Sequence, residues 1–269
     1  MNSDTNLAPD PAADRAAGLA ARLRAAGCVF AEDEARLLLE TADGPQALES
    51  MVRRRVEGFP LEHVLGWTEF RGLRIAVDEG VFVPRRRSEF LAGLAVSAAA
   101  PGAVVVDLCC GAGAVGAAIA AEVPDADVYA ADLDPAAVAC ARRNLPGGRV
   151  HEGDLYAALP PALHGRVDVL VANAPYVPTD EIPLLPAEAR LYEPLPSLDG
   201  GPDGLAVQRR ITQGAGRWLS PQGTLLIETS ARQSPETAAA FEQAGLTARI
   251  ETCDDLWATV VVGTRGAGR

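Results

Sequence analysis

The chain has 269 residues, enough for one large α/β domain and a small accessory domain. Its 24 basic side chains are all arginine and its 36 acidic side chains give a net charge of −12. This charge disfavours a nucleic-acid partner, because binding to a phosphate backbone requires clustered cations. No apolar stretch approaches the roughly 20 residues of a membrane span, and the first residues lack a secretion pattern. We therefore expect a soluble, cytoplasmic protein without a membrane segment.

The first third of the chain predicts a flexible tail, a helical domain and a β-hairpin. Residues 1–13 are rich in Ala, Pro and Asp and show no apolar periodicity, which is typical of a loose tail. Leucines then recur at helical spacing, so we predict a helical, substrate-recognition domain over residues 14–65. Residues 66–84 contain short β-prone runs between glycines and predict a hairpin linker. Its candidate strands are 67–70, 73–77 and 81–83.

From residue 85 to 269 the pattern predicts an α/β domain. Apolar runs alternate with helical stretches, which indicates a mostly parallel sheet covered on both faces. The last two runs are too close together for a crossover helix, so they must pair antiparallel or lie apart. The candidate strands are 104–107, 128–131, 167–172, 224–228, 248–252 and 258–262, with one more short strand before Gly153. In such a sheet a ligand binds at the carboxyl ends of the strands.

Three acidic residues follow neighbouring strands of this sheet. Asp107 ends its strand before a glycine-containing turn, Asp132 comes just after the next strand and Asp154 follows the third. Each alone could be an ordinary turn or cap residue. Together they fit the ammonium, the ribose diol and the adenine amine of S-adenosyl-L-methionine. A dinucleotide fits less well, because Cys109 stands where its fingerprint has the first glycine and Asp107 would repel a pyrophosphate.

The most informative tetrapeptide is Asn173-Ala174-Pro175-Tyr176, at the end of the fourth strand. A planar amide or aryl amine is a poor nucleophile, but the Asn173 side-chain oxygen and the Ala174 carbonyl could accept hydrogen bonds from both of its N–H groups. The Tyr176 ring could pack on the planar group. Catalysis would then rest on alignment and electrostatic fit rather than on a strong base. The alternative is an Asn-x-Pro turn without chemistry.

These motifs, with the segments at 58–72, 83–89, 192–194 and 199–205, resemble the HemK/PrmC protein-(glutamine-N5) methyltransferases. That family modifies the Gly-Gly-Gln glutamine of peptide-chain release factors. The resemblance covers nearly all of the chain after the tail. It implies a Rossmann-like class I methyltransferase fold, with an antiparallel C-terminal strand and a small N-terminal helical domain.

The resemblance also implies roles for individual residues. The cofactor is S-adenosyl-L-methionine, with S-adenosyl-L-homocysteine as product. The expected catalytic residues are Asn173, Ala174, Pro175 and Tyr176. The expected cofactor-binding residues are Pro84, Arg85, Asp107, Cys109, Gly111, Gly113, Asp132, Leu133, Asp154, Leu155 and Asn173. The expected substrate contacts are Asn173, Tyr176, Tyr192 and Glu193. We expect no metal, because the five cysteines and three histidines have no metal-ligand spacing.

Two departures from the family pattern point to a divergent paralogue. Cys109 replaces the first glycine of the turn, which we expect to be tolerated if its φ is negative. Ala174 replaces the first proline of Asn-Pro-Pro-Tyr, which keeps the carbonyl acceptor but removes the restriction on φ. The acceptor is then a glutamine of a release factor or of another protein. Two alternatives stay open: a methyltransferase for an exocyclic amine of a base in DNA or rRNA, and a non-catalytic cofactor-binding protein. A monomer is favoured.

Three surface features complete the predictions. The segment 177–202 is rich in proline, shows no clear strand or helix, and is expected to form a wall of the acceptor groove through Arg190 and Tyr192. The arginine run 53–55 indicates a solvated helix face, with docking of an acidic partner as the alternative. The run 85–87 is a second local concentration of positive charge.

Overall fold

The computed structural model describes residues 11–266, which fall into two compact units that divide between Gly66 and Trp67. Residues 1–10 of the predicted tail lie outside the described residues. Residues 11–13 were also predicted to belong to the tail, but they are part of a helix that begins at Pro11. The boundary between the units follows the predicted end of the helical domain by one residue.

The first unit is helical, as predicted. Its helices are α1 (Pro11–Ala25), α2 (Ala31–Thr41), α3 (Pro45–Val56) and α4 (Leu61–Leu65). Leu23 and Leu38 are fully buried in its core. The prediction of a solvated face for the run 53–55 is wrong for Arg55, whose guanidinium donates to both carboxylate oxygens of buried Glu34 at 2.7 and 3.2 Å. This charge is inside because it is paired, since a lone buried charge is costly.

The second unit begins with the predicted hairpin, β1 (Trp67–Phe70) and β2 (Leu73–Ala76). Phe70 and Ile75 are buried in the same core as the large sheet, so the hairpin is part of this unit rather than a separate linker. The third candidate strand, 81–83, is not a strand. The backbone N–H of Val83 donates instead to a carboxylate oxygen of Glu193 at 3.2 Å, so a side chain satisfies it in place of a ladder partner.

The large sheet has seven strands in the order β5-β4-β3-β6-β7-β9-β8. Its strands are β3 (Val104–Leu108), β4 (Asp127–Asp132), β5 (Arg149–Glu152), β6 (Val167–Ala172), β7 (Leu219–Thr229), β8 (Leu246–Cys253) and β9 (Ala258–Arg265). Strand β9 is antiparallel to both of its neighbours and the other pairs are parallel, which confirms the predicted mixed sheet.

Helices precede the first strand of this sheet and form most of the connections between its strands, whereas two 3₁₀ turns connect β5 to β6. The helices are α5 (Ser88–Ala98), α6 (Ala114–Glu122), α7 (Pro135–Asn144), α8 (Ala187–Tyr192), α9 (Ala206–Trp218) and α10 (Ser234–Gln243). Two apolar cores pack on the sheet, one including α5, α6 and α7 and the other including α9 and α10. The strand order reverses at β3, because β4 lies on one side of it and β6 on the other. A ligand site is expected at the carboxyl ends of the strands around this reversal.

The segment 177–202 differs from its prediction because it contains short helices. They are a 3₁₀ turn at Thr179–Leu184, helix α8 and a 3₁₀ turn at Leu195–Ser197. Pro178, Pro186 and Pro194 each stand directly before one of them. Proline has a fixed φ that suits a helix start, and elements this short leave no apolar period in the sequence. Among the residues described, no helix is long and apolar enough to span a membrane.

Candidate functional site

The turn between β3 and α6 is organised by the carboxylate of Asp107. One of its oxygens accepts a hydrogen bond of 2.9 Å from the backbone N–H of Gly116, which lies in the first turn of α6. A helix start leaves such N–H groups without intrahelical partners, so the carboxylate satisfies one of them. Burial raises the pKa of Asp107 to about 7, and the nearby charge of Asp132 adds to the rise, although the hydrogen bond opposes it. Asp107 is thus poised to ionise near neutral pH.

The carboxylate of Asp132 joins the loops that follow β3 and β4. One oxygen accepts from the backbone N–H of Gly111 at 2.8 Å and the other from that of Asp134 at 2.9 Å. Burial raises the pKa of Asp132, and these backbone hydrogen bonds oppose the rise. Each carboxylate oxygen can accept more than one hydrogen bond, so both remain able to receive hydroxyl groups from a ligand.

A cavity of about 360 Å³ opens at the carboxyl ends of β3, β4 and β6. This volume lies within the range of small-molecule sites, roughly 300–1,000 Å³. The cavity wall includes nine of the eleven predicted cofactor-binding residues: Pro84, Asp107, Cys109, Gly111, Asp132, Leu133, Asp154, Leu155 and Asn173. Convergence of these residues follows from the parallel strands, whose carboxyl ends meet at one edge of the sheet.

The other two predicted cofactor-binding residues lie elsewhere. Gly113 has φ +78°, and a Cβ on it would approach Ala141 and Leu145 to 3.0–3.2 Å, so this glycine allows α6 to pack closely on α7. Arg85 lines a second cavity instead of the first. Its guanidinium donates to both carboxylate oxygens of Glu193 at 2.7 and 2.5 Å.

Cys109 was expected to replace the family glycine without harm if its φ were negative, and this condition is not met. Its φ is +56°, in the left-handed region that favours glycine. A side chain there costs on the order of 1–2 kcal/mol. A glycine at this position of the turn avoids this cost, because it has no side chain. The cysteine of this chain adopts the same conformation with some backbone strain. Burial also raises the pKa of the Cys109 thiol well above its usual value.

Several residues of the cavity wall were not among the predicted site residues, and Phe82, Ser88 and Arg210 are three of them. Arg210, on α9, donates to the carboxylate of Asp154 at 2.6 Å, so this carboxylate already has a cationic partner. The two are 56 residues apart, and no local pattern connects them. Ser88 lies in the segment 83–89, one of the segments that carry the family resemblance, and this was the available signal for it.

A second cavity, of about 270 Å³, adjoins the first. Its wall includes Ala174, Tyr176 and Leu185 from the segment after β6. Asn173 and Pro175 line both cavities. A planar group held in the second cavity by Asn173 would therefore face the first.

The side chain of Asn173 is oriented by a neighbour. Its Nδ2 donates to the hydroxyl oxygen of Ser88 at 3.0 Å, which leaves the amide oxygen as the group available to a ligand. The Tyr176 hydroxyl donates to buried Glu228 at 3.4 Å, and the Arg87 guanidinium lies 5.7 Å from the centre of the Tyr176 ring. Burial next to the Glu228 carboxylate raises the pKa of Tyr176 far above its usual value, so the hydroxyl stays protonated.

The two remaining predicted substrate contacts lie outside the open part of the second cavity. The Glu193 side chain is 1% exposed and is held by Arg85 and by the backbone of Val83. It ties the segment after β6 to the segment before α5. Tyr192 is half-buried on α8 and, of the described residues, is not among those that line either cavity.

Comparison with known proteins identifies the family. A protein-family model described as methyltransferase small domain matches residues 73–184. The release factor glutamine methyltransferase of Mycolicibacterium smegmatis is 40% identical, over 79% of this chain and 78% of its own. That of Cereibacter sphaeroides is 37% identical, over 90% of this chain and 88% of its own. The chain belongs to the family of release factor glutamine methyltransferases. The cofactor of this family is S-adenosyl-L-methionine.

Two solved structures show the same fold at low sequence identity. A methyltransferase from Pyrococcus furiosus matches with a TM-score of 0.55 at 16% identity, over 73% of this chain and 90% of its own. A ribosomal protein L11 methylase from Lactobacillus delbrueckii matches with a TM-score of 0.52 at 15% identity, over 71% of this chain and 85% of its own. The predicted Rossmann-like class I methyltransferase fold is thereby confirmed.

Proposed function

We propose that this protein transfers the methyl group of S-adenosyl-L-methionine to the side-chain amide nitrogen of a glutamine in a release factor. The observation that carries the proposal is the position of Asn173, which lines both cavities and presents its amide oxygen as an acceptor. A primary amide needs acceptors for its two N–H groups, and the buried backbone of Ala174 can supply the second.

The first cavity suits the cofactor. Asp107 offers a buried carboxylate for the ammonium of the methionine moiety, and Asp132 offers carboxylate oxygens for the ribose hydroxyls. Leu133 and Leu155 add apolar surface for the base. Asp154 can accept from the adenine amine while it is paired with Arg210, because a carboxylate has several acceptor sites.

The residues of the second cavity then bind, orient and shield the acceptor amide. Bound cofactor supplies an electrophilic methyl group. Asn173 fixes the amide plane, and the neutral Tyr176 ring can pack on it. The rate enhancement comes from alignment and from exclusion of water. No strong base is required first, because the methylated nitrogen can lose its proton after transfer.

The test is incubation with methyl-labelled cofactor and three acceptors: a release factor, the same release factor with its Gly-Gly-Gln glutamine replaced by alanine, and total nucleic acid. We expect label on the intact release factor alone, and N5-methylglutamine in its peptide by mass spectrometry. Label on a glutamine of another protein would leave the chemistry but overturn the acceptor. Label on nucleic acid, or on neither, would overturn the function and support one of the two alternatives.

A further inference from the structure

Asn173 can do its work only if its amide group points the right way. An asparagine side chain is nearly symmetric in shape, and a half-turn of its amide exchanges the oxygen with the NH₂ group. With the oxygen towards the acceptor cavity, Asn173 accepts an N–H of the substrate amide. With the NH₂ group there, two donors would face each other. A partner that distinguishes the two orientations therefore controls the chemistry of this site.

Ser88 is the hydrogen-bond partner of Asn173. It is the first residue of α5 and is 2% exposed, and its hydroxyl oxygen accepts from Asn173 Nδ2 at 3.0 Å. A hydroxyl has one hydrogen, which it must give to another acceptor while it accepts from Asn173. If that hydrogen pointed at Asn173 instead, the reversed amide would be preferred.

Glu228 lies where it can take this hydrogen. It is 1% exposed near the end of β7, which adjoins β6 in the sheet. Its Oε1 accepts from the Arg87 guanidinium at 3.2 Å and from the Tyr176 hydroxyl at 3.4 Å. Its buried Oε2 has no partner at strict hydrogen-bond geometry among residues 11–266. Ser88 directly follows Arg87, which donates to this carboxylate, and burial raises the pKa of Glu228 while hydrogen bonding from Ser88 opposes the rise.

We propose that Glu228 and Ser88 are positioning residues that fix the amide orientation of Asn173 and thereby make the site selective for an amide over a carboxylate. An ionised carboxylate can only accept, so it draws the Ser88 hydrogen towards itself. Ser88 is then an acceptor for Asn173, and Asn173 turns its oxygen to the substrate. Arg87 and Tyr176 face the same carboxylate, and both keep it an acceptor by donating to it. The inference rests on the proposed function.

The test measures selectivity as well as rate. The acceptors are a release factor with its glutamine and the same protein with that glutamine changed to glutamate, which offers acceptors instead of N–H donors. Turnover is measured on the first, and the second is measured as a competitive inhibitor. The variants are Ser88→Ala, which frees the amide to rotate, Ser88→Thr, which keeps the hydroxyl, and Glu228→Gln, whose NH₂ group can donate to Ser88 and reverse the direction of the hydrogen bonds.

We expect Ser88→Ala and Glu228→Gln to lower kcat/KM for the glutamine acceptor about 30- to 100-fold, while cofactor affinity changes less than about threefold. The preference for the glutamine over the glutamate acceptor should fall about tenfold in both, and Ser88→Thr should restore it. Loss of packing alone would weaken both acceptors equally. Ser234→Ala is the matched control, because Ser234 is also a buried serine at the first position of a helix and donates only to a nearby carbonyl. It should change none of these values.

Three outcomes overturn the inference, and the last of them also overturns the proposed function. A preference that shifts in Glu228→Gln but not in Ser88→Ala would assign the effect to the lost negative charge. A preference that stays unchanged in both variants would remove the positioning role and leave the proposed function intact. If the wild-type protein methylates no glutamine, the proposed function itself fails, and this inference fails with it.

Discussion

The pKa of Asp107 predicts how cofactor affinity depends on pH. This carboxyl is 2% exposed and its pKa is raised to about 7, chiefly by burial. Below pH 7 it is mostly neutral and cannot pair with the ammonium of the methionine moiety. As the pH rises through 7, the carboxylate forms and the attraction appears. Affinity should therefore increase with pH over this range.

The size of the effect follows from the ionised fraction. With a pKa of about 7, roughly one tenth of Asp107 is ionised at pH 6 and about half at pH 7. If the ionised form is the competent one, the apparent dissociation constant falls about fivefold between these values. An α-amino group titrates near pH 7.7–8.0, so the ligand remains mostly cationic over this interval.

Calorimetric titration with S-adenosyl-L-homocysteine at pH 6.0, 6.5 and 7.0 measures this dependence. Asp107→Asn should bind more weakly at pH 7 and with no change across the series. 5′-Methylthioadenosine lacks the amino-acid moiety, so its affinity for the wild-type protein should also be flat. An affinity of the wild type that does not change, or that falls with rising pH, would show that Asp107 does not hold the ammonium.

Three further substitutions have definite expected outcomes. Asn173→Ala should leave cofactor affinity within about threefold, measured by calorimetry, and lower kcat at least 100-fold, measured in a methylation assay. Collapse of cofactor affinity with preserved turnover would contradict the role of Asn173. Cys109→Gly should raise the free energy of unfolding by roughly 1 kcal/mol in denaturant titrations, because φ +56° costs glycine little, and an unchanged midpoint would argue against strain. Gly204→Ala should lower it by at least about 2 kcal/mol, since the new Cβ would lie 2.3 Å from the backbone oxygen of Tyr176, whereas Gly216→Ala, with open space around it, should not.

The sequence predicted those parts of the site that depend on strand order. Asp107 is the residue before the last in β3, Asp132 ends β4 and Asn173 follows β6, and parallel strands bring their carboxyl ends to one edge. The type of each side chain then indicated its chemistry. The antiparallel end of the sheet was open to prediction for a similar reason, because a connection of a few residues cannot contain a crossover helix.

The parts that could not be predicted depend on contacts between distant residues or on backbone angles. Ser88 and Asn173 are 85 positions apart, and Arg210 and Asp154 are 56 apart, so no local pattern links either pair. The left-handed backbone conformation of Cys109 could not be predicted, because a cysteine, unlike a glycine, does not indicate a positive φ. The segment 81–83 has the composition of a strand, but the carboxylate of Glu193 takes the N–H that a strand would have used.

The arginine run 85–87 shows how such distant contacts change an interpretation. As a local feature it indicated only a concentration of positive charge. Two of its three charges are instead paired with carboxylates that are 1% exposed, Arg85 with Glu193 and Arg87 with Glu228. Removing either arginine would leave a buried carboxylate without its cationic partner, which typically costs 3–5 kcal/mol when the pair is fully buried and less here, because both arginines are partly exposed. The run therefore joins the start of α5 to the segment after β6 and to β7, and so sets the place of Ser88 beside Asn173.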